Sequence, residues 1–397
     1  MKVVIAYSGG LDTSAAIVWL KKVKKAQQID AVLVDVGQKE DLEALSRKAL
    51  QLGANSVSVV DSKKSLCEKG IAPLLQATAK YENQYLLGTA VARPFIAEAI
   101  MKVAQEKNAD SVCHGATGKG NDYLRFEQRM LAINPHIQII SPWREWQLGG
   151  REEAICFLKE SEFSFSTLSD NSFNYSQDAN LWHTSYEGGT LENLESPPPI
   201  ELQNRMLQKG SANVKLDWKN GIPIKLNNEE LPLQVLIEKL NSELEQTGYG
   251  WLDLIETRTN GIKSRGIYHT PAGTLLYAAQ ASLISCYFSG PVIQWIQENS
   301  SIYAKLIYEG HWNHPLLIAL NQSLESLYQG TEGSIQFSIM GAQAIIQRRW
   351  ANPNKFSSQL SSFETMKIWN NQLSESLVHI QQLKWNSHPF SMPGGSS

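Results

Sequence analysis

The chain has 397 residues, 42% hydrophobic and 19% charged, which at ~100–200 residues per domain suggests two or three domains. Its 36 basic and 39 acidic side chains give a formal net charge of -3, so it lacks the basic excess with which proteins usually grip nucleic-acid phosphates. Mixed charge and 9% aromatic residues exclude wholesale disorder. After Met1-Lys2 the apolar run ends at Tyr7, short of the ~7–15 residues of a signal peptide, and no later run reaches the ~18 of a membrane span. Cys67, Cys113, Cys156 and Cys286 form neither a CxxC pair nor a zinc spacing; they read as buried, reduced thiols of a cytoplasmic protein.

The first 160 residues alternate in period. Lys2–Tyr7 reads as a buried strand, Asp12–Lys22 as a helix with lysines at its negative end, Asp30–Val36 as a strand and Asp41–Leu52 as a helix stopped by Gly53. Strand Ser56–Val60, helix Ala90–Asn108, strand Asp110–Gly115, a helix from Asp122, strand Ile137–Ile140 and helix Arg151–Lys159 follow. Such alternation predicts an α/β, doubly wound parallel sheet over 1–165, with ligands at the carboxyl ends of its strands. Ser161 to Ser176 has the composition of a linker, and Ser196-Pro197-Pro198-Pro199 that of a rigid loop. Beyond it, Val214–Trp218 and Ile222–Leu226 read as a hairpin around Lys219-Asn220-Gly221, Leu233–Glu245 and Thr274–Phe288 as helices, and Ile335–Ile346 as further strand. This is an α+β second domain over 170–365. A C-terminal helix and tail, 366–397, end in the Gly/Ser-rich Pro393 to Ser397.

Ser8-Gly9-Gly10-Leu11-Asp12-Thr13-Ser14 joins the first strand to the first helix. Two glycines allow a tight turn and close approach to an anion, the helix start offers free N–H groups, and three hydroxyls add donors. An ordinary turn with a serine cap is the plain alternative. The loop lacks the GxxxxGK[ST] signature of kinase-type phosphate loops and resembles the SGGxDS loop of ATP pyrophosphatases, which cleave ATP between the α and β phosphates.

A second motif, His114-Gly115-Ala116-Thr117-Gly118-Lys119-Gly120-Asn121-Asp122, also follows a strand. Asn121 and Asp122 could be helix caps, and His114 a packed or capping side chain rather than a base. With Tyr85-Leu86-Leu87-Gly88-Thr89, Ala92-Arg93-Pro94, Arg125-Phe126-Glu127, Pro142-Trp143-Arg144-Glu145-Trp146, Asp178-Ala179-Asn180-Leu181, His183 to Gly189 and Lys263 to Tyr268, it resembles the argininosuccinate synthase family, in order from residue 1 to about 315.

That resemblance implies an ATP-dependent, AMP-forming carbon–nitrogen ligase of arginine biosynthesis, joining citrulline to aspartate through a citrullyl-adenylate. It implies an ATP site at Ala6, Tyr7, Ser8, Gly9, Gly10, Leu11, Asp12, Thr13, Ser14, Val34 and Gly115, with Asp12 and Ser14 catalytic. Citrulline would meet Tyr85, Ala90, Asn121, Arg125, Ser176, Ser185, Glu256 and Tyr268, and aspartate Thr117, Asn121 and Asp122. Magnesium would come with the nucleotide rather than on a protein metal site. The partners implied are these small molecules, without nucleic acid or membrane, in a cytoplasmic homotetramer. The residue types suit the ligands: Arg125 can fork onto an α-carboxylate and Glu256 can take an ammonium, although either could instead be a solvated surface charge.

Four departures stand out. Ala90 replaces a usual Ser, Thr257 a usual Asn, His269 a usual Glu, and Ser338-Ile339-Met340-Gly341 stands where the family tends to have Leu-Tyr-Lys-Gly. The first three motivate a rival reading, a paralogous ligase adenylating another ureido acceptor; the last lies in a region that in the family contributes to subunit contacts. An RNA-modifying ATP pyrophosphatase would want paired cysteines and a basic face, and the intact Ser8–Ser14 loop gives a silent nucleotide-binding protein no support.

Overall fold

A computed structural model describes residues 1–146, 148–161, 175–363, 370 and 372–385. Residues 1–352 form one compact unit and 353–397 a second. The first five strands are β1 (Lys2–Ala6), β2 (Gln28–Asp35), β3 (Ser56–Asp61), β4 (Ser111–Cys113) and β5 (Gln138–Ile140). They pair in parallel in the order β3-β2-β1-β4-β5. The pleat sends alternate side chains of β1 to opposite faces. Val3 and Ile5 pack under α1 (Leu11–Lys22), whose Ala15 to Leu20 are buried. Val4 packs on the other face with Val91, Phe95 and Ile100 of a long helix over Gly88–Glu106. Both faces are therefore covered, which explains the near-continuous apolar runs of β1 and β2. The strand order reverses between β1 and β4, so the loops that follow these two strands flank the switch point where such sheets bind ligands.

Besides a helical segment over 63–76 and a helical turn at Pro142–Glu145, this half carries α1, α2 (Leu42–Gln51), α3 (Gly88–Glu106), α4 (Asp122–Ile133) and α5 (Arg151–Lys159). Asp41 caps α2, its Oδ1 accepting from the Ala44 amide at 2.9 Å. The expectation of four buried thiols is met at two positions. Cys67 and Cys113 are buried and Cys286 half-buried, but Cys156 is exposed. It lies on the outer side of α5, whose Ala154 and Leu158 face inward one turn apart.

Among the described residues, nine further strands are β6 (Ser176–Ala179), β7 (Thr184–Glu187), β8 (Ser211–Lys219), β9 (Ile222–Leu226), β10 (Glu229–Glu230), β11 (Trp251–Thr257), β12 (Lys263–His269), β13 (Glu332–Met340) and β14 (Gln343–Asn352). They make two antiparallel sheets, β10-β9-β8-β13-β14 and β11-β12-β7-β6. The expected β8–β9 hairpin turns at Asn220 and Gly221, both with positive φ as a tight hairpin requires. Its sheet buries Val214, Leu216, Trp218, Ile335 and Phe337 in a core shared with α6 (Leu233–Leu244) and α7 (Pro271–Tyr287). Two helices that the sequence reading did not identify, α8 (Gly290–Tyr308) and α9 (Pro315–Tyr328), follow, and Tyr303 bridges them through a 2.8 Å hydrogen bond to Asn321. The short strands β6, β7, β11 and β12 were not expected either, although their motifs were. Most of the expected linker, 162–174, and the Gly/Ser tail lie outside the described residues. In the second unit the chain forms α10 (Gln372–Trp385).

Candidate active site

The loop after β1 is built around its own hydroxyls. Thr13 Oγ1 lies 3.2 Å from Ser8 Oγ, which accepts from the Gly10 amide at 3.4 Å. Ser8 and Gly10 are exposed at the rim, and Asp12 is half-buried in the first turn of α1. Ser14 is turned inward: it is fully buried, with its hydroxyl 3.5 Å from both the Gly9 carbonyl and the Tyr7 hydroxyl. Gly9 has φ +77°, and a Cβ there would run into Leu45 of α2, 2.3 Å away, rather than into the anion cradle. Lys48 of α2 donates to the Gly9 carbonyl at 2.7 Å, and burial lowers its pKa. The sequence reading overlooked Lys48. At the end of β2, Gln38 ties down the backbone near Val34, donating to its carbonyl at 2.9 Å and accepting from the Val36 amide at 2.8 Å.

The loop after β4 is pinned from beneath by His114, which is fully buried. Its Nδ1 accepts from the Ala116 amide at 3.2 Å, which assigns the proton to Nε2, 2.9 Å from Glu127 Oε1. This is the packed histidine that the sequence allowed. The loop then meets the β11–β12 turn: the Lys119 carbonyl accepts from Arg258 at 3.2 Å. Asn121 is held by protein, receiving the Thr259 amide and hydroxyl on Oδ1 and donating one Nδ2 hydrogen to the Tyr308 hydroxyl at 2.9 Å.

The sheet β11-β12-β7-β6 supplies the other wall. Ser185 pairs with Tyr268, Glu187 with Ser176 and Gly266, and Glu256 with Ser264, so strand alternation puts all of them on one face. Gly266 makes room there, since a Cβ would stand 2.5 Å from the Tyr268 hydroxyl. Ser176 is exposed at the edge of this face; Ser185, Glu256 and Tyr268 are buried. His269 falls on the opposite face, stacked on Trp251 at 4.1 Å, with burial lowering its pKa to about 4. This departure from the family is therefore remote from Tyr268's side of the sheet. Thr257 is bound to its own surroundings, its carbonyl accepting from Tyr81 at 2.8 Å.

Charges meet between the two walls. Asp122 accepts from Arg93 at 2.8 Å and from Arg125 at 2.9 Å, and Arg93 also reaches Asp178 at 2.5 Å. Burial opposes ionisation of Asp122, but the two guanidinium groups win and hold its carboxyl below the usual range. Arg125 is no solvated helix-face residue: it is 3% exposed, and its Nη2 is buried without a partner. Glu256 is 6% exposed, and its Oε2 is likewise buried and unpaired. Burial, reinforced by Glu187, pushes its carboxyl up to about 7. Glu187 is itself raised by burial and by Asp122. Burial also keeps His183 neutral, with its pKa near 3; its Nε2 lies 3.0 Å from the Thr89 hydroxyl. Tyr85 is buried, its hydroxyl accepting from the Thr89 amide at 3.0 Å. Ala90 is fully enclosed in the core. Thr117 is half-buried in the β4 loop.

The structure thus brings together the β1 loop with Gly115, and Arg125 and Asp122 with the Glu256 face. It sets Ala90 into packing and Ser176 at an edge. Sequence reasoning missed Arg93, Glu187 and Tyr308; the first two stand inside motifs it had quoted, whereas Tyr308 ends a helix it had not identified.

Residues 2–164 match the arginosuccinate synthase N-terminal HUP domain family, and residues 175–388 the arginosuccinate synthase C-terminal domain family. An argininosuccinate synthase of Endomicrobium trichonymphae is 38% identical over 384 residues, 96% of this chain and 92% of that protein. One of Moorella thermoacetica is 41% identical over 343 residues, 85% and 83% of the two chains. One of Caldanaerobacter subterraneus is 37% identical over 384 residues, 96% and 93%. With both halves matched in order and this identity sustained over nearly the whole length, the chain belongs to the argininosuccinate synthase family of ligases.

Proposed function

We propose that ATP lies across the loops after β1 and β4, with its phosphates on Ser8 to Ser14 and its nucleoside between Val34 and Gly115. Citrulline lies in the polar cleft facing Tyr85, Ser176, Ser185, Glu256 and Tyr268, and aspartate near Thr117 and Asp122. The single observation that carries this reading is the pair of buried, unpartnered atoms of opposite charge, Arg125 Nη2 and Glu256 Oε2. Buried polar groups are rarely left unsatisfied, and an α-carboxylate and an α-ammonium would satisfy both.

The ureido oxygen then attacks the α-phosphorus, releasing pyrophosphate and forming citrullyl-AMP. The aspartate amine next displaces AMP. A urea carbon is a poor electrophile, and adenylation supplies its leaving group; the chain contributes orientation and charge stabilisation. The β1 loop offers amides and hydroxyls, which suit phosphate oxygens. Asp12, its one carboxylate, suits the magnesium that the nucleotide brings.

The proposal includes a cytoplasmic homotetramer. Its subunit contacts are sought where apolar side chains stand exposed, at Ile345 and Trp350 of β14 and, separately, at Leu373, Leu377 and Ile380 of α10. Analytical ultracentrifugation tests it, and a monomer would refute it. For the chemistry, citrulline labelled at the ureido oxygen should deliver its label to AMP. Label recovered only in water or pyrophosphate would refute the adenylate.

A further inference from the structure

Tyr308, at the C-terminal end of α8, belongs to neither loop nor to the sheet wall, yet three site residues meet on it. Its hydroxyl receives Asn121 Nδ2 at 2.9 Å and faces the Glu256 carboxyl, whose pKa it pulls down against burial. Its carbonyl accepts from Arg125 Nε at 2.9 Å, and the Arg125 guanidinium lies over its ring at 4.8 Å. The ring is itself held, stacked on Tyr81 at 3.6 Å with the planes 3° apart and set edge-on to Tyr85 at 6.2 Å. Tyr308 is fully buried, so its hydroxyl has no water to turn to. Arg125 is therefore held by the carbonyl and ring of the tyrosine whose hydroxyl faces Glu256, while Arg125 Nη2 and Glu256 Oε2 each stay buried without a partner.

We infer that Tyr308 is a positioning residue for the amino-acid end of the ureido substrate, fixing Arg125 and Glu256 so that Nη2 receives the α-carboxylate and Oε2 the α-ammonium. This rests on the roles given to Arg125 and Glu256 under the proposed function. Two charges held in place by protein lose less freedom on binding than two mobile side chains, and a substrate lacking either group forfeits the benefit.

The test is Tyr308→Phe, which keeps the ring on Tyr81 and beneath Arg125 and removes only the hydroxyl. KM for citrulline should rise on the order of tenfold, as expected for a lost hydrogen bond to a charged group. KM for ATP, kcat at saturating citrulline and the melting temperature should hardly move. With 5-ureidopentanoate, which lacks the ammonium, the wild-type advantage over Tyr308→Phe should shrink to less than about half of its citrulline value on the same estimate. Equal rises in the two KM values, no rise in either, an undiminished effect on 5-ureidopentanoate, or a variant that does not fold would each make Tyr308 a structural residue and overturn the inference. Failure of the underlying reading would appear instead in the wild-type chain, as pyrophosphate release that citrulline does not stimulate, and would overturn both.

Discussion

Gly115 lays its bare Cα against the Thr13 methyl group: a Cβ on Gly115 would stand 2.8 Å from Thr13 Cγ2 and 3.4 Å from the Thr13 amide nitrogen. The loops after β1 and β4 touch at this point, directly over the place where the strand order reverses. Gly115→Ala would push on the first turn of α1, which the proposed function assigns to the phosphates of ATP. KM for ATP should rise at least several-fold while KM for citrulline stays near wild type. Initial-rate kinetics with each substrate varied in turn check this, and an unchanged KM for ATP would separate the β4 loop from the nucleotide.

Glu256 gives a prediction in pH. Its carboxyl is raised to about 7 by burial and by Glu187, against the pull of Arg125, Tyr308 and Arg258. A raised carboxyl holds its proton in the folded state, so its contribution to stability is fully present below the ordinary pKa and is lost as pH rises towards 7. Substrate binding runs the other way, because an ammonium wants the carboxylate. Thus kcat/KM for citrulline should climb with pH through an apparent pKa near 7, shared by the Glu187–Glu256 pair, while kcat at saturation shows no such limb. Glu256→Gln should flatten the limb and lose citrulline affinity. A wild-type profile flat from pH 5 to pH 9 would remove Glu256 from the substrate site.

The parallel half was legible because β1 and β2 are covered on both faces and their apolar runs announce burial, and because the glycine-rich turns fall directly after strands. The four strands of the β11-β12-β7-β6 sheet were not expected. Ser185 and Glu256 are polar yet buried on the inward face, so the apolar–polar alternation that marks a half-buried strand is lost there. Tyr308 was illegible for a different reason. It is one aromatic residue at the end of an amphipathic helix, and its importance lies in partners 183 and 187 positions away. Arg125 shows both limits: its residue type suggested a carboxylate fork, but only its burial shows that it is no solvated surface charge.

Asp122 carries a stability prediction. It lies between half-buried Arg93, which keeps Asp178, and buried Arg125, so Asp122→Asn would leave Arg125 without its carboxylate and Arg93 with only one. Breaking a buried pair from one side costs about 3–5 kcal/mol, and the lower end applies because the Asp122 side chain keeps 29% exposure. With its carboxyl held below the usual range, this stabilisation is present above the ordinary carboxylate pKa and fades as pH falls through the lowered value. Chemical denaturation of Asp122→Asn at pH 7 and pH 3 should give a large deficit at the first and a smaller one at the second. An equal loss at both would mean that packing, not charge, is what Asp122 supplies.

Ala90 is the sharpest departure from the family within a well-matched stretch, and its setting bears on substrate choice. It sits in the first turn of α3 with no exposed surface, between Thr89, whose hydroxyl is engaged by His183, and a wall of buried apolar side chains. A hydroxyl added there has the Leu86 carbonyl one turn back as a local acceptor, though that carbonyl already receives Trp182 Nε1 at 2.9 Å. The added group would therefore be spent partly on the helix and only partly on a ligand. A neutral hydrogen bond is worth ~0.5–1.5 kcal/mol net, so Ala90→Ser should improve kcat/KM for citrulline by less than about tenfold. The melting temperature should fall slightly, because the core has no room prepared for the oxygen. A gain well beyond tenfold would mean that the hydroxyl reaches the substrate directly and that the natural alanine weakens citrulline binding. If the natural chain proved inert towards citrulline yet released pyrophosphate with another ureido compound, the ligase chemistry would stand and the substrate would be that compound.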